Sequence, residues 1–154
     1  MERVTLMRTP LKLLALLLVF SALGLGASFA GEKVWVGLYL AENEPPPPGA
    51  QLAPAWLQDR LAQVFGFRHY ELRKEQEFFL RNEWEQWFMP RRDFFLRLEP
   101  LHREPGEPKL IGYEIYKDGF IVAKGTYEPH EETPLFINGP DFRRGRLVVV
   151  LEAR

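Results

Sequence analysis

The chain has no cysteine among its 154 residues, so no disulfide or thiolate metal framework can hold it, and no N-terminal cysteine can carry a lipid. Histidine is nearly as scarce, with three residues. His69, His102 and His130 occur as "HYE", "HRE" and "HEE" on separate segments, without the spacing of a helical zinc motif. They read as surface residues, so neither a metal nor a cofactor is expected. Beyond the first thirty residues serine and threonine are also sparse, and no GxSxG elbow occurs. Carboxylates are plentiful, but no pair is set apart by its context. The chain is therefore expected not to be an enzyme, and an uncharacterised hydrolase ranks third among its possible roles.

A strong charge imbalance is missing as well. Arg3, Arg8 and Lys12 take three of the 20 Lys and Arg, and Glu2 takes one of the 21 Asp and Glu, so residues 31–154 carry a net charge of about −3. That value lacks the basic excess of a nucleic-acid binder. The first thirty residues have the order of a secretory signal peptide: the three basic residues, a leucine-rich run from Leu13 to Leu25, then small residues at Ser28 and Ala30. Cleavage is expected after Ala30. The alternative is an N-terminal membrane anchor, because the uncharged stretch from Leu13 to Gly31 approaches the roughly 17 to 25 apolar residues that span a bilayer. Gly24, Gly26 and Ser28 thin its end, and no basic cluster follows. The expectation is an exported protein, periplasmic or secreted, that touches membrane only through an uncleaved leader.

Residues 31–154 suit a single small domain resting on its own hydrophobic core. "KVWVGLYLA" alternates Val34, Val36, Leu38 and Leu40 with Trp35, Gly37 and Tyr39, which predicts a central strand apolar on both faces. Four prolines then make residues 45–49 a stiff connector. "LAPAWLQDRLAQVFGF" predicts the one amphipathic helix, with Pro54 in its first turn, Leu57, Leu61, Val64 and Phe65 on one stripe, and Gly66 as its stop. Its polar face lacks the Lys/Arg density of a membrane-surface helix. Strand signals fill the remainder: an edge-like run from His69 to Leu80, "DFFLRLEPL", and a hairpin around Asp118 and Gly119. In that hairpin Tyr116 should oppose Ile121 and Ile115 should oppose Val122, giving Ile111, Tyr113, Ile115, Phe120 and Val122 one apolar face. "NGP" should break the chain before a buried strand from Leu147 to Leu151. The expected fold class is α+β, one N-terminal amphipathic helix packed on a mainly antiparallel sheet of about six to eight strands.

The densest aromatic stretch is "NEWEQWFMPRRDFFLRL", from Asn82 to Leu98. Its predicted hairpin turns at "MPRR" with Pro90 second in the turn, so that Trp84, Gln86 and Phe88 face one way and Glu85, Trp87 and Met89 the other. One tryptophan should enter the core. The other, beside Arg91 and Arg92, is a candidate ligand platform. A second arginine turn, "FRRGR", holds Arg143, Arg144 and Arg146. Guanidinium groups match carboxylate and phosphate, so the two turns would form an anion-binding patch if they meet. The candidate ligand-binding set is thus Trp84, Trp87, Arg91, Arg92, Arg143, Arg144 and Arg146. The order of strand, helix and antiparallel strands resembles small modules of cell-envelope assemblies, a resemblance of topology alone. The expected role is a non-catalytic binding or assembly module with another envelope protein as partner. The runner-up is a binder of glycan or another anionic polymer.

Overall fold

A computed structural model describes residues 32–80, 85–101, 109–130 and 133–154. The expected leader, Trp84 and His102 lie outside these residues. The elements are β1 (Glu32–Glu42), α1 (Ala55–Phe65), β2 (His69–Leu80), β3 (Gln86–Arg91), β4 (Phe94–Leu101), β5 (Leu110–Lys117), β6 (Phe120–Tyr127), β7 (Leu135–Phe142) and β8 (Gly145–Ala153). They form two antiparallel sheets, ordered β2-β1-β8-β7 and β3-β4-β5-β6. Apart from the β1–β8 pair, every ladder joins strands consecutive in sequence, an up-and-down order. Among the described residues no helix is long and apolar enough to cross a membrane.

This overturns the α+β expectation of an N-terminal helix on a single sheet. Among the described residues the protein is mainly β, and the one helix there is a short element between β1 and β2. The physical reason lies in where the apolar faces go. Val34, Val36, Leu38 and Leu40 of β1 meet Phe88, Phe94, Leu96 and Leu98 of the other sheet in a core that holds no helical residue. Strands with one apolar face need a cover, and a second sheet serves as well as a layer of helices. Alternation alone does not distinguish them.

Helix α1 contributes only Leu57 and Leu61 as buried residues, in a second cluster with Trp35, Tyr39 and Tyr70 on the opposite face of the first sheet. Pro54 is the N-cap rather than a first-turn residue, and Gly66 ends the helix in the left-handed conformation with its N–H on the Ala62 carbonyl. Val64, expected on the buried stripe, is exposed. Both faces of β1 are buried, as its two-sided apolar pattern requires.

Three local expectations are corrected by bulges. Pro90 lies inside β3, where the ladder is irregular between Phe88 and Arg91, and the turn falls at Arg92 and Asp93. A proline has no N–H to donate, so an edge strand at a bulge tolerates it. "NGP" likewise interrupts the β7–β8 ladder without ending β7. A side chain at Gly139 would come within 2.6 Å of the Leu147 carbonyl oxygen, so the close strand approach there needs glycine. Asp118 and Gly119 do form the β5–β6 turn with φ of 52° and 83°, the left-handed pair favoured in two-residue hairpins. Tyr116 opposes Ile121, but a bulge then pairs Ile115 with Ala123. Ala123 therefore reaches the core, while Phe120 and Val122 are 75% and 48% exposed.

Candidate functional site

The outer face of β1 supplies the floor of a cleft. Trp35, Gly37 and Tyr39 are spaced by two and share that face, while Val36 and Leu38 between them point to the main core. A Cβ on Gly37 would lie 2.3 Å from Trp35 and 2.9 Å from Tyr39, so the missing side chain is what lets the indole lie over the strand. In register, Gly37 pairs with Glu75 of β2, and Trp35 lies between Glu77 of β2 and Glu152 of β8. The indole Nε1–H donates to Glu75 Oε2 at 2.9 Å. The Arg154 guanidinium stacks 4.6 Å from the centre of a Trp35 ring, and pairs with Glu152 at 2.9 Å and Glu77 at 3.4 Å. Cation and indole are thus held together by carboxylates on both flanking strands.

The first turn of α1 and the segment before it make the facing wall. Ala53 N–H bonds the Tyr70 carbonyl and Leu72 N–H the Gln51 carbonyl, which ties residues 51–53 to β2. Trp56, 49% exposed, stands at the rim. Between wall and floor lies a cavity of about 150 Å³, bounded by Tyr39, Gln51, Leu52, Trp56, Glu75 and Arg154 among others. A second hollow of about 240 Å³ shares Trp35, Glu75 and Arg154 with it and adds Gln76 and Glu77.

Two buried tyrosines of the same cluster differ in a telling way. Tyr70 donates its hydroxyl to the Leu61 carbonyl at 2.9 Å, which pins α1 to β2. Tyr39 is only 2% exposed, and its hydroxyl makes no hydrogen bond among the described residues. No fully enclosed side-chain polar atom there lacks a partner. The Tyr39 hydroxyl therefore opens into the cavity that the residue lines. Burial, with the nearby Glu75 charge adding to it, pushes the Tyr39 hydroxyl up to about 12. A tyrosine in the unfolded chain ionises near about 10. Its contribution to stability is thus complete below pH about 10 and is lost as pH rises through about 12. In an alkaline titration followed by tyrosinate absorbance, the last tyrosine to ionise before unfolding should vanish in Tyr39→Phe; an unchanged curve would contradict this environment.

The residues singled out by sequence lie elsewhere. Trp84 is outside the described residues. Trp87 is 38% exposed on the outer face of the second sheet, its Nε1–H on Glu85 at 3.0 Å and its ring 5.8 Å from Tyr116. Beside it Arg97 binds Glu85 at 2.9 Å, Glu114 at 2.8 Å and Glu99. The Tyr116 hydroxyl, with Arg97 behind it, holds Glu114 below the usual carboxylate range. On this face the Trp87 indole N–H, the Arg97 guanidinium and the Tyr116 hydroxyl thus all donate to neighbouring carboxylates.

The two arginine turns do meet. The Arg91 and Arg143 guanidiniums lie 4.3 and 5.3 Å from the Phe142 ring centre. Arg143 also holds a φ of 55°, a left-handed value that usually favours glycine. Carboxylates occupy most of the charge, however: Arg91 binds Asp93 at 2.9 Å, Arg144 binds Glu44 at 2.7 Å, and Arg146 binds Asp141 at 2.9 Å. Arg91 and Lys117 hold the Asp93 carboxyl well below its ordinary range. Arg92 is exposed at the turn and has no carboxylate partner among the described residues. Among those residues no group of three or more His, Asp or Glu is placed to hold a metal ion.

Sequence reasoning missed the cleft. Its residues come from β1, β2, β8 and the start of α1, and strand pairing alone makes them neighbours. The available signal was the aromatic, glycine, aromatic spacing of Trp35, Gly37 and Tyr39 on one face of a strand. Comparison with known protein families, curated proteins and solved structures found no match.

Proposed function

We propose that this chain is an exported, non-catalytic binding module of the cell envelope whose ligand docks in the cleft between α1 and β1. One observation carries the proposal: a tyrosine buried to 2% exposure lines the floor of a cavity, and its hydroxyl has no hydrogen-bond partner among the described residues. Leaving such a group without a partner costs about 1–3 kcal/mol when water is also excluded, so a ligand that completes the bond gains from it. The surroundings support binding over catalysis. Glu75 already accepts the Trp35 N–H, and Glu152 is paired with Arg154, so neither carboxylate stands free as an acid or base. Export rests on the leader-like order of residues 1–30.

A second reading has an observation of its own. Arg91 and Arg143 converge on Phe142, and with Arg92 they form a basic tip that suits an anionic polymer. Retention of the purified protein on isolated envelope material separates the two. Tyr39→Phe and Trp56→Ala should reduce retention about tenfold, the equivalent of roughly 1.4 kcal/mol. Arg91→Gln with Arg92→Gln and Arg143→Gln should leave it unchanged. The opposite pattern, with retention falling as salt rises, would transfer the function to the arginine tip.

A further inference from the structure

We infer that the cleft takes the pyranose ring of a neutral glycan, an inference that rests on the cleft being the binding site. Elimination gives the first step. An anionic ligand would meet Glu75 and Glu152 at the cavity wall. A cation would find the face of Trp35 already taken by Arg154, to which Glu152 and Glu77 are committed, and would be left with Glu75 alone, itself bonded to the Trp35 N–H. A purely apolar ligand would leave the Tyr39 hydroxyl and Glu75 stripped of water with nothing in exchange. What remains is a neutral molecule that is apolar on one side and rich in hydroxyls on the other.

The walls fit such a molecule in the same order. Trp56 and Leu52 are half-exposed on the helix side and offer an apolar surface for the C–H face of a sugar. On the floor across from them, Tyr39 can both donate and accept, Glu75 and Glu152 accept, and Arg154 donates, while Gln51 beside Leu52 adds one more group that does both. Adjacent sugar hydroxyls, each donor and acceptor, need such a mixture. A cavity of about 150 Å³ admits one ring, and the adjoining hollow of about 240 Å³ beside Gln76 and Glu77 gives a second ring of the same chain a place to go.

The test titrates the full chain with cellotriose, chitotriose, maltotriose and mannotriose, following tryptophan emission and, in parallel, calorimetry. At least one should bind and shift the emission. Trp56→Ala should weaken that binding at least tenfold. Tyr39→Phe should weaken it by about tenfold while unfolding as the parent does, since its hydroxyl bonds no other group among the described residues. Arg91→Gln should bind as the parent does. Saccharide binding that survives both cleft variants would overturn the inference by placing the sugar elsewhere. If none of the four binds, yet envelope retention still depends on Tyr39 and Trp56, the ligand class is wrong and the cleft stands. If retention ignores those residues as well, the binding site itself is wrong.

Discussion

Phe88→Ala should lower the free energy of unfolding by about 3 to 5 kcal/mol, whereas Trp87→Ala, one residue away, should lower it by about 0.5 to 1.5 kcal/mol. The contrast follows from the pleat. Phe88 is fully buried where the second sheet meets the first, and its ring meets Phe78 edge-on at 6.5 Å. Removing it would empty a space between two sheets that are each tied by their own ladders, so the void could close only in part. Trp87 points outward, and its loss forfeits the Tyr116 ring contact and the bond to Glu85 while opening no core cavity. Urea unfolding of the two variants measures the difference. A larger loss in Trp87→Ala would mean that β3 presents its faces the other way round, and equal losses would mean that both faces are covered alike.

That pair marks how far the aromatic stretch could be read from its residues. Period two assigned Phe88 and Trp87 to opposite faces, and the opposite faces are found. It could not assign Val122, because the bulge between Ile115 and Tyr116 leaves that residue unpaired and the register beyond it slips, while Phe120 keeps its place opposite Lys117 and lies exposed beside the turn. A bulge is a property of the ladder as a whole, and nothing in "YKDGFIVA" announces it. The same limit explains the fold class. The alternation in β1 and β8 told of burial, and the helix from Ala55 to Phe65 was legible from its stripe and its closing glycine. Whether "DFFLRL" faced a helix or a second sheet depended on strand partition, which local pattern does not encode. Tryptophan density drew attention to residues 84–87. The cleft instead draws Trp35 from β1, Trp56 from α1 and Arg154 from the far end of the chain, and no short window contains any two of its strands.

Trp35→Ala should cost about 3 to 5 kcal/mol and abolish envelope retention together, which separates it from every other cleft variant. The indole is 5% exposed and packs in the cluster that joins α1 to the first sheet, so its removal leaves a cavity under the helix. Two polar consequences add to the packing loss. Glu75 loses the N–H that orients it, and Arg154 loses the ring on which its guanidinium rests while its bonds to Glu152 and Glu77 persist. Trp56→Ala provides the comparison, because a half-exposed rim residue should change stability by about 0.5 kcal/mol. Chemical denaturation beside the retention measurement resolves the two. If Trp35→Ala unfolds early while the folded fraction still binds as the parent does, Trp35 is structural floor alone and the ligand rests on Trp56 and Tyr39. Loss of binding in folded Trp35→Ala, with Glu75 and Arg154 intact, instead means that the carboxylate and guanidinium recognise ligand only where the indole holds them.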